Sequence, residues 1–203
     1  KFWLNRGGFQ TEIIITVKSG QIHLNYTGDP SKLFAFFSKH KQELINSTDE
    51  LSVGMKKRGG GLIDLELIDH SAALDGYFYL DARFKTADAM GANYINSCLE
   101  AIAENFRILA AQQPEFVGVA QPEIVMSILS NYVAECLVRV SVCCPVSDLA
   151  QEGLSGAEFA EKFVRAVDIA KSNPLRAVTH NKGIMNGVDA VVLATGNDFR
   201  AVE

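Results

Sequence analysis

No apolar run in the sequence approaches the roughly 20 residues that a membrane-spanning helix needs, and no secretory leader pattern is visible. Cysteine is scarce. The four residues Cys98, Cys136, Cys143 and Cys144 form no C-x-x-C pair, and no histidine stands at a zinc-finger offset from them. That excludes a zinc finger and gives no disulfide framework, so a reducing cytoplasm is expected. Cys143 and Cys144 fall in an apolar run and read as buried small hydrophobes. The four histidines, His23, His40, His70 and His180, are scattered, and no metal site is expected. Positive charge is in deficit, with 19 Lys and Arg against 24 Asp and Glu, a net charge of −5. This argues against general binding to nucleic acid or to an anionic membrane, but leaves room for a local basic patch. There is no low-complexity tract and no internal repeat. What remains is a chain of 203 residues, 48% hydrophobic and 21% charged. It has enough apolar material for a sizeable core in one or two domains. It begins on Lys1 and stops at Glu203 within what reads as a continuing element, as expected of an internal piece of a longer protein.

Residues 11–27 alternate in polarity and predict a hairpin, with Ile13, Ile15 and Val17 in one arm, Ile22, Leu24 and Tyr26 in the other, and Ser19-Gly20 as the turn. Asp29 and Pro30 open a helix as N-cap and first helical residue. Residues 48–61 read as a loop ending in Lys56-Lys57-Arg58-Gly59-Gly60-Gly61. Two strands follow, 62–69 with Ile63, Leu65 and Leu67 on one face, and 77–84, joined through Asp75-Gly76. From Asp88 a long helix is expected, since Ile95, Leu99, Ile102, Phe106 and Leu109 repeat at helical steps. Strands are predicted at 123–130 and 134–143, the second nearly all apolar and therefore buried. Ser155 and Glu158 make a capping box. Its helix turns Phe159, Phe163, Val167 and Ala170 inward and ends at Pro174, and a last helix covers about 183–195. Strand pairs mixed with helices predict an α+β protein with antiparallel sheet.

Several common motifs are absent. Gly59-Gly60-Gly61 satisfies neither the dinucleotide fingerprint nor the phosphate loop, and Gly153-Leu154-Ser155-Gly156 is no nucleophile elbow. Two segments stand out. In Asp88-Ala89-Met90-Gly91-Ala92-Asn93, small residues at a helix start allow close approach, and free N–H groups at a dipole's positive end favour an anion. The same pattern also suits a capped helix packed tightly on a sheet. Residues 174–203 gather Arg176, His180, Asn181, Lys182, Asn186, Asp189, Asn197, Asp198 and Arg200 around an apolar stretch. These are either solvated helix ends or a site. In a site, Lys182 with Asn186 one turn on would point a cation and an amide at one oxygen, and a buried lysine beside a carboxylate would make an acid–base pair.

These residues carry a resemblance. Asp88–Asn93, Arg176 through Asn186, and Ala194-Thr195-Gly196-Asn197-Asp198 resemble the bacterial and archaeal class II form of 3-hydroxy-3-methylglutaryl-coenzyme A (HMG-CoA) reductase, in order and spacing along the whole chain. The resemblance implies a cytoplasmic enzyme of the mevalonate pathway of isoprenoid biosynthesis. It would reduce the HMG-CoA thioester to mevalonate and free coenzyme A by two hydride transfers from NAD(P)H. It implies Lys182 as the catalytic cation and Asp198 as the carboxylate coupled to it. Arg176 would bind the substrate's free carboxylate and Asn186 would orient the reacting end. Asp88, Met90, Gly91, Ala92 and Asn93 would hold the dinucleotide, with Asn131 on the cofactor side. It implies a small antiparallel-sheet, ferredoxin-like cofactor domain at 11–131, inserted in a larger helix-rich α+β substrate domain of which 1–10 and 132–203 are pieces. The partners implied are HMG-CoA, mevalonate, coenzyme A and a second copy in a homodimer with a shared active site, with no nucleic acid and no membrane.

The family's catalytic Glu falls upstream of the region matching Lys1 and its thiolate-protonating His beyond Glu203, so the sequence by itself is expected to be inactive or impaired. Lys182 and Asp198 are 16 residues apart, about 24 Å along a straight helix. Either the helix breaks near Gly196 or the site mixes residues from two protomers. Lys56-Lys57-Arg58 fits a 2′-phosphate as well as it fits a solvated loop, and NADPH is expected ahead of NADH. The competing expectation is a non-catalytic ligand-binding or assembly module, in which the polar groups at 176–198 only hold an interface.

Overall fold

The computed structural model describes all residues except 117, 119 and 203; the expectation of an element continuing through Glu203 lies outside these. The chain forms two compact units, Glu12–Arg139 and a second made of Lys1–Thr11 with Val140–Glu203.

The first unit is built on β1 (Gln10–Asn25), α1 (Pro30–Asn46), α2 (Asp49–Lys56), β2 (Gly61–Asp69), β3 (Tyr77–Lys85), α3 (Ala92–Ala111) and β4 (Glu123–Leu129), with β5 (Cys136–Ser141) running out of it. Strand order is β2-β3-β1-β4, and β5 pairs with β1. The pairs β1–β3, β1–β4 and β2–β3 are antiparallel. The order βαββαβ with β4-β1-β3-β2 in space is the split-βαβ, ferredoxin-like arrangement, set here in an α+β chain as expected. Ile22, Leu24, Leu65, Leu67, Phe78, Leu80, Ala82 and Phe84 pack with Leu33, Phe36, Leu44, Ile95, Leu99, Ile102 and Phe106 in one buried core. Strand alternation and helical repeat thus meet across one layer boundary.

The residues at 11–27 make one 16-residue strand, not a hairpin. Gly20 is not a turn residue. A Cβ there would stand 2.6 Å from Leu99 Cδ1, 3.0 Å from Ile95 Cγ2 and 3.2 Å from the Leu129 backbone, so the glycine lets α3 lie against the sheet. Gly20→Ala is expected to cost about 1–3 kcal/mol through overpacking, read as a lower urea midpoint. A stability equal to wild type would show that α3 does not need this close approach.

Four other expectations are corrected. Residues 49–56 form α2, not loop: Asp49 and Glu50 sit in its first turn and Lys56 in its last, matching the helix dipole, while Ser52 and Met55 are buried. Ile63 is 48% exposed because the β2–β3 register shifts between Leu62 and Asp64, turning it off the core face. The long helix starts at Ala92, four residues after Asp88, because Thr86–Gly91 first make a turn with Gly91 at φ +85°. β5 is exposed along most of its length, as are Val142 and Cys143, while Cys144 is half-buried, since no element among the described residues covers that apolar run.

Asp29 caps α1 by accepting from the Ser31 N–H at 2.9 Å, with Pro30 at the first helical position. Lys41 donates to Asp64 at 2.8 Å, and this bond holds the Asp64 carboxyl below its ordinary range.

The second unit contains α4 (Gly156–Ser172) and α5 (Pro174–Ala194). The expected capping box is present: the Ser155 side chain accepts from the Glu158 N–H, and the Glu158 carboxylate accepts from the Ser155 N–H. Ala170 is buried and Phe159 and Val167 are half-buried, but Phe163 is 61% exposed. Its ring lies parallel to that of Phe159 one turn earlier, 6.4 Å between centres. Pro174 ends α4 and also opens α5, so the last helix is 21 residues long and starts well before residue 183. Among the described residues no helix is long and apolar enough to cross a membrane.

Candidate functional site

In the first unit, the segment 86–93 is a glycine-held turn at the end of β3. Gly91 occupies the position before the helix, and a Cβ there would meet Thr86 Cγ2 at 2.4 Å. No side chain caps α3, so the N–H groups of its first turn are left to water or to an anion. Two side chains that the sequence did not single out hold the turn. Thr86 Oγ1 donates to the Ala89 carbonyl at 2.7 Å. Lys18 Nζ, from β1, donates to the Ala89 and Met90 carbonyls at 3.1 and 2.7 Å. Lys18 carries no sequence signal, because it acts from β1 on a turn far along the chain, whereas Thr86 acts within the turn itself, three residues from its acceptor. Met90 is 54% exposed. Asp88 is exposed, so it is no buried cap.

Lys18 also lines a cavity of about 290 Å³ on the open face of the sheet with Ser19, Asp81, Arg83, Tyr132 and Glu135. Its charges are mostly matched: Arg83 pairs with Glu135, and Gln21 donates to Asp81 at 2.7 Å. Asn131 is exposed in the loop beside Tyr132, so Lys18 stands between the Asn131 loop and the 86–93 turn.

In the second unit, Arg176, Lys182 and Asn186 all lie on α5. At 3.6 residues per turn Lys182 and Asn186 share a face, and Arg176 sits about 120° around the helix from Lys182. Asp189, one turn beyond Asn186, joins that face, and its Oδ1 is buried with no hydrogen-bond partner among the described residues. Lys182 is exposed, where the sequence suggested a buried amine, and has no ion-pair partner among the described residues. α5 ends at Ala194, and Gly196 (φ +73°) turns the chain. Asp198 then caps a short 3-10 turn, Phe199–Ala201, accepting from the Arg200 N–H at 3.1 Å and from its guanidinium at 3.2 Å. Those bonds hold the Asp198 carboxyl below its ordinary range. The helix therefore breaks at Gly196, but the break does not fold Asp198 back onto Lys182. From Lys182 to the helix end is still about 18 Å of rise.

The first unit is a ferredoxin-like α+β fold, and the second carries a helix with a lysine, an amide and a carboxylate on one face. Residues 1–203 match the family model described as hydroxymethylglutaryl-coenzyme A reductase. The chain belongs to that family. It is 31% identical over 197 residues to the 3-hydroxy-3-methylglutaryl-coenzyme A reductase of Archaeoglobus fulgidus, covering 97% of this chain and 42% of that protein. A solved structure of the Streptococcus pneumoniae reductase superposes with a TM-score of 0.78 at 33% identity, covering 98% of this chain and 51% of that one. A structure of the class II S. pneumoniae enzyme bound to NADPH in open conformations gives the same figures. The chain thus spans about half the length of the relatives it matches, or somewhat less.

Proposed function

We propose that the intact protein carrying this chain is a class II HMG-CoA reductase. It converts the HMG-CoA thioester to mevalonate and free coenzyme A at the expense of two NADPH. The observation that carries the reading is the placing of Arg176, Lys182, Asn186 and Asp198 along α5 and its terminal turn, in a chain that matches the reductase family from end to end.

The residues at 86–93 suit a dinucleotide. The space a Cβ would fill at Gly91 is already taken by Thr86, the first turn of α3 is uncapped, and Lys18 adds a cation. Met90, Gly91, Ala92 and Asn93 would hold its phosphates and Asp88 would shape the turn, with Asn131 nearby. The bound NADPH supplies hydride. The protein's own part is to hold charge. As a thioester carbonyl is reduced its oxygen turns anionic, and the Lys182 ammonium, with the Asn186 amide one turn on, donates hydrogen bonds to it. Arg176 takes the substrate's remote carboxylate in a two-pronged contact. Asp198, kept ionised by Arg200, is the carboxylate that tunes the Lys182 proton.

Two protomers sharing the site is the arrangement we propose for that last pairing. The helical distance supports it. So does α5 itself, which has no buried residue although Leu175, Val178 and Val191 are 83%, 72% and 65% exposed. Apolar helix surface of that extent suits an interface. In this reading residues 11–131 are the cofactor domain, 1–10 and 132–203 belong to the substrate domain, and the protein works in the cytoplasm, in keeping with its free cysteines.

The test follows absorbance of NADPH and release of coenzyme A thiol when the intact protein is mixed with HMG-CoA. Two NADPH consumed per thiol released is expected. No thiol release, or one NADPH per thiol, would overturn the reading.

A further inference from the structure

A trans peptide points its C=O and its N–H in opposite directions, so a side chain that holds a carbonyl also aims an amide. The 86–91 turn is held in this way from across the sheet. Register pairs Lys18 of β1 with Phe84 of β3, and from there the Lys18 ammonium reaches the chain just after β3 has ended. It donates to the carbonyls of Ala89 and Met90, at 3.1 and 2.7 Å. The peptides that begin with these carbonyls carry the N–H groups of Met90 and Gly91, and both peptides are trans. With the carbonyls drawn toward Lys18, the two N–H groups face away from it. Neither donates to a protein acceptor among the described residues. The turn also needs holding. Ala87 stands at φ +50°, a left-handed conformation that a residue with a Cβ keeps only when its surroundings fix it. Thr86, itself buried, gives the Ala89 carbonyl a second donor at 2.7 Å.

We infer that Lys18 is a positioning residue for the nucleotide. The cation it supplies works through two peptide groups, aiming the Met90 and Gly91 N–H at a phosphate oxygen, and does not touch the nucleotide itself. The inference rests on the reading of 86–93 as the nucleotide-binding turn and adds how that turn is made ready. The ammonium does two things. It fixes the direction of both amides before the ligand arrives, so less ordering is left to be done on binding. It also draws electron density through each carbonyl, which makes the N–H at the other end of the same peptide a stronger donor. Its own donors are spent on carbonyls, on the side of the peptides turned away from the anion. Lys18 therefore contributes through hydrogen bonds and not as a counter-ion in contact.

The experiment is a fluorescence titration of the intact protein with NADPH, without substrate, set beside a calorimetric titration with HMG-CoA alone, so that neither needs turnover. Wild type is expected to bind both. Lys18→Met keeps the stem and deletes the ammonium. It is expected to bind NADPH about ten-fold more weakly and HMG-CoA as wild type does. Lys18→Arg, whose fork can still bond two carbonyls, should recover most of the loss. The ratio of wild-type to Lys18→Met affinity for NADPH is expected to stay constant from about 50 to about 300 mM salt, a range over which a direct charge contact at the surface is screened. Lys18→Gln, neutral and one bond shorter, takes the place of the methionine variant if that one does not fold, and should lose NADPH affinity in the same way. NADPH affinity unchanged in the variant would overturn the inference. An equal loss of HMG-CoA affinity, or failure of both variants to fold, would overturn it by making Lys18 a support of the fold. A loss that disappears at high salt would overturn it by making Lys18 a direct phosphate contact. Wild type that binds no NADPH would bring down the reading of the turn itself, and the inference with it.

Discussion

Lys182→Met in the intact protein is expected to lower kcat by about 10²–10³-fold, the usual loss on removing one donor to a developing oxyanion, and to leave the melting temperature where it is. Methionine keeps the length and apolar stem of lysine and deletes the charge. The fold should not register the change, because Lys182 is exposed and has no ion-pair partner among the described residues. The catalytic step should register it, because the ammonium is proposed to meet an oxygen whose charge grows only as the thioester carbonyl is reduced. For the same reason the loss should fall on kcat more than on KM. Lys182→Arg should recover little of the rate, since a planar fork does not replace a compact ammonium held beside the Asn186 amide. Steady-state rates with HMG-CoA and NADPH, together with a thermal melt, decide it. A variant that melts normally and turns over at the wild-type rate would return the 176–198 segment to a purely structural role.

Phe106→Ala is expected to destabilise the first unit by about 4 kcal/mol, within the range seen for emptying a buried aromatic site. Phe106 is fully buried and meets the edge of Phe36 at 5.2 Å between ring centres. Phe36 in turn meets Phe116 at 5.3 Å, and Phe116 meets Tyr26 at 5.7 Å. These rings join α3, α1, the loop after α3 and the end of β1, so a cavity at Phe106 removes contacts on several elements and cannot be closed by moving one. Urea unfolding followed by far-ultraviolet circular dichroism should show a lower midpoint with an unchanged slope. A loss below about 1 kcal/mol would mean that the site collapses around the missing ring, which close packing of this kind resists.

Much of this protein was legible in its residue order. The helical repeat from Ile95 to Leu109 is the buried face of α3, the Asp29-Pro30 start and the Ser155–Glu158 box are the caps they promised to be, and Asp75-Gly76 does link two strands. These signals act over four residues or fewer, where propensity and capping chemistry are sufficient. The family, too, was legible in the Asp88–Asn93, Arg176–Asn186 and Ala194–Asp198 motifs, since motif spacing survives whatever the tertiary packing does.

What local signals could not settle was decided by contact between distant parts. Ser19-Gly20 has the composition of a turn, but Gly20 serves Leu99 and Ile95, some 75 residues on, by leaving room for α3. Ile63 alternates correctly with Leu65, yet a register shift against β3 turns it out to solvent. The holding of the 86–91 turn by Lys18 exists only because antiparallel pairing sets that residue level with Phe84, near the end of β3. Residue order by itself determined many of the elements, the caps at Asp29 and Ser155, and the family. Only the tertiary structure decided which glycine turns and which one makes room, and that Lys18 reaches the 86–91 turn. A glycine or a lysine carries no record in its neighbours of what lies across the sheet.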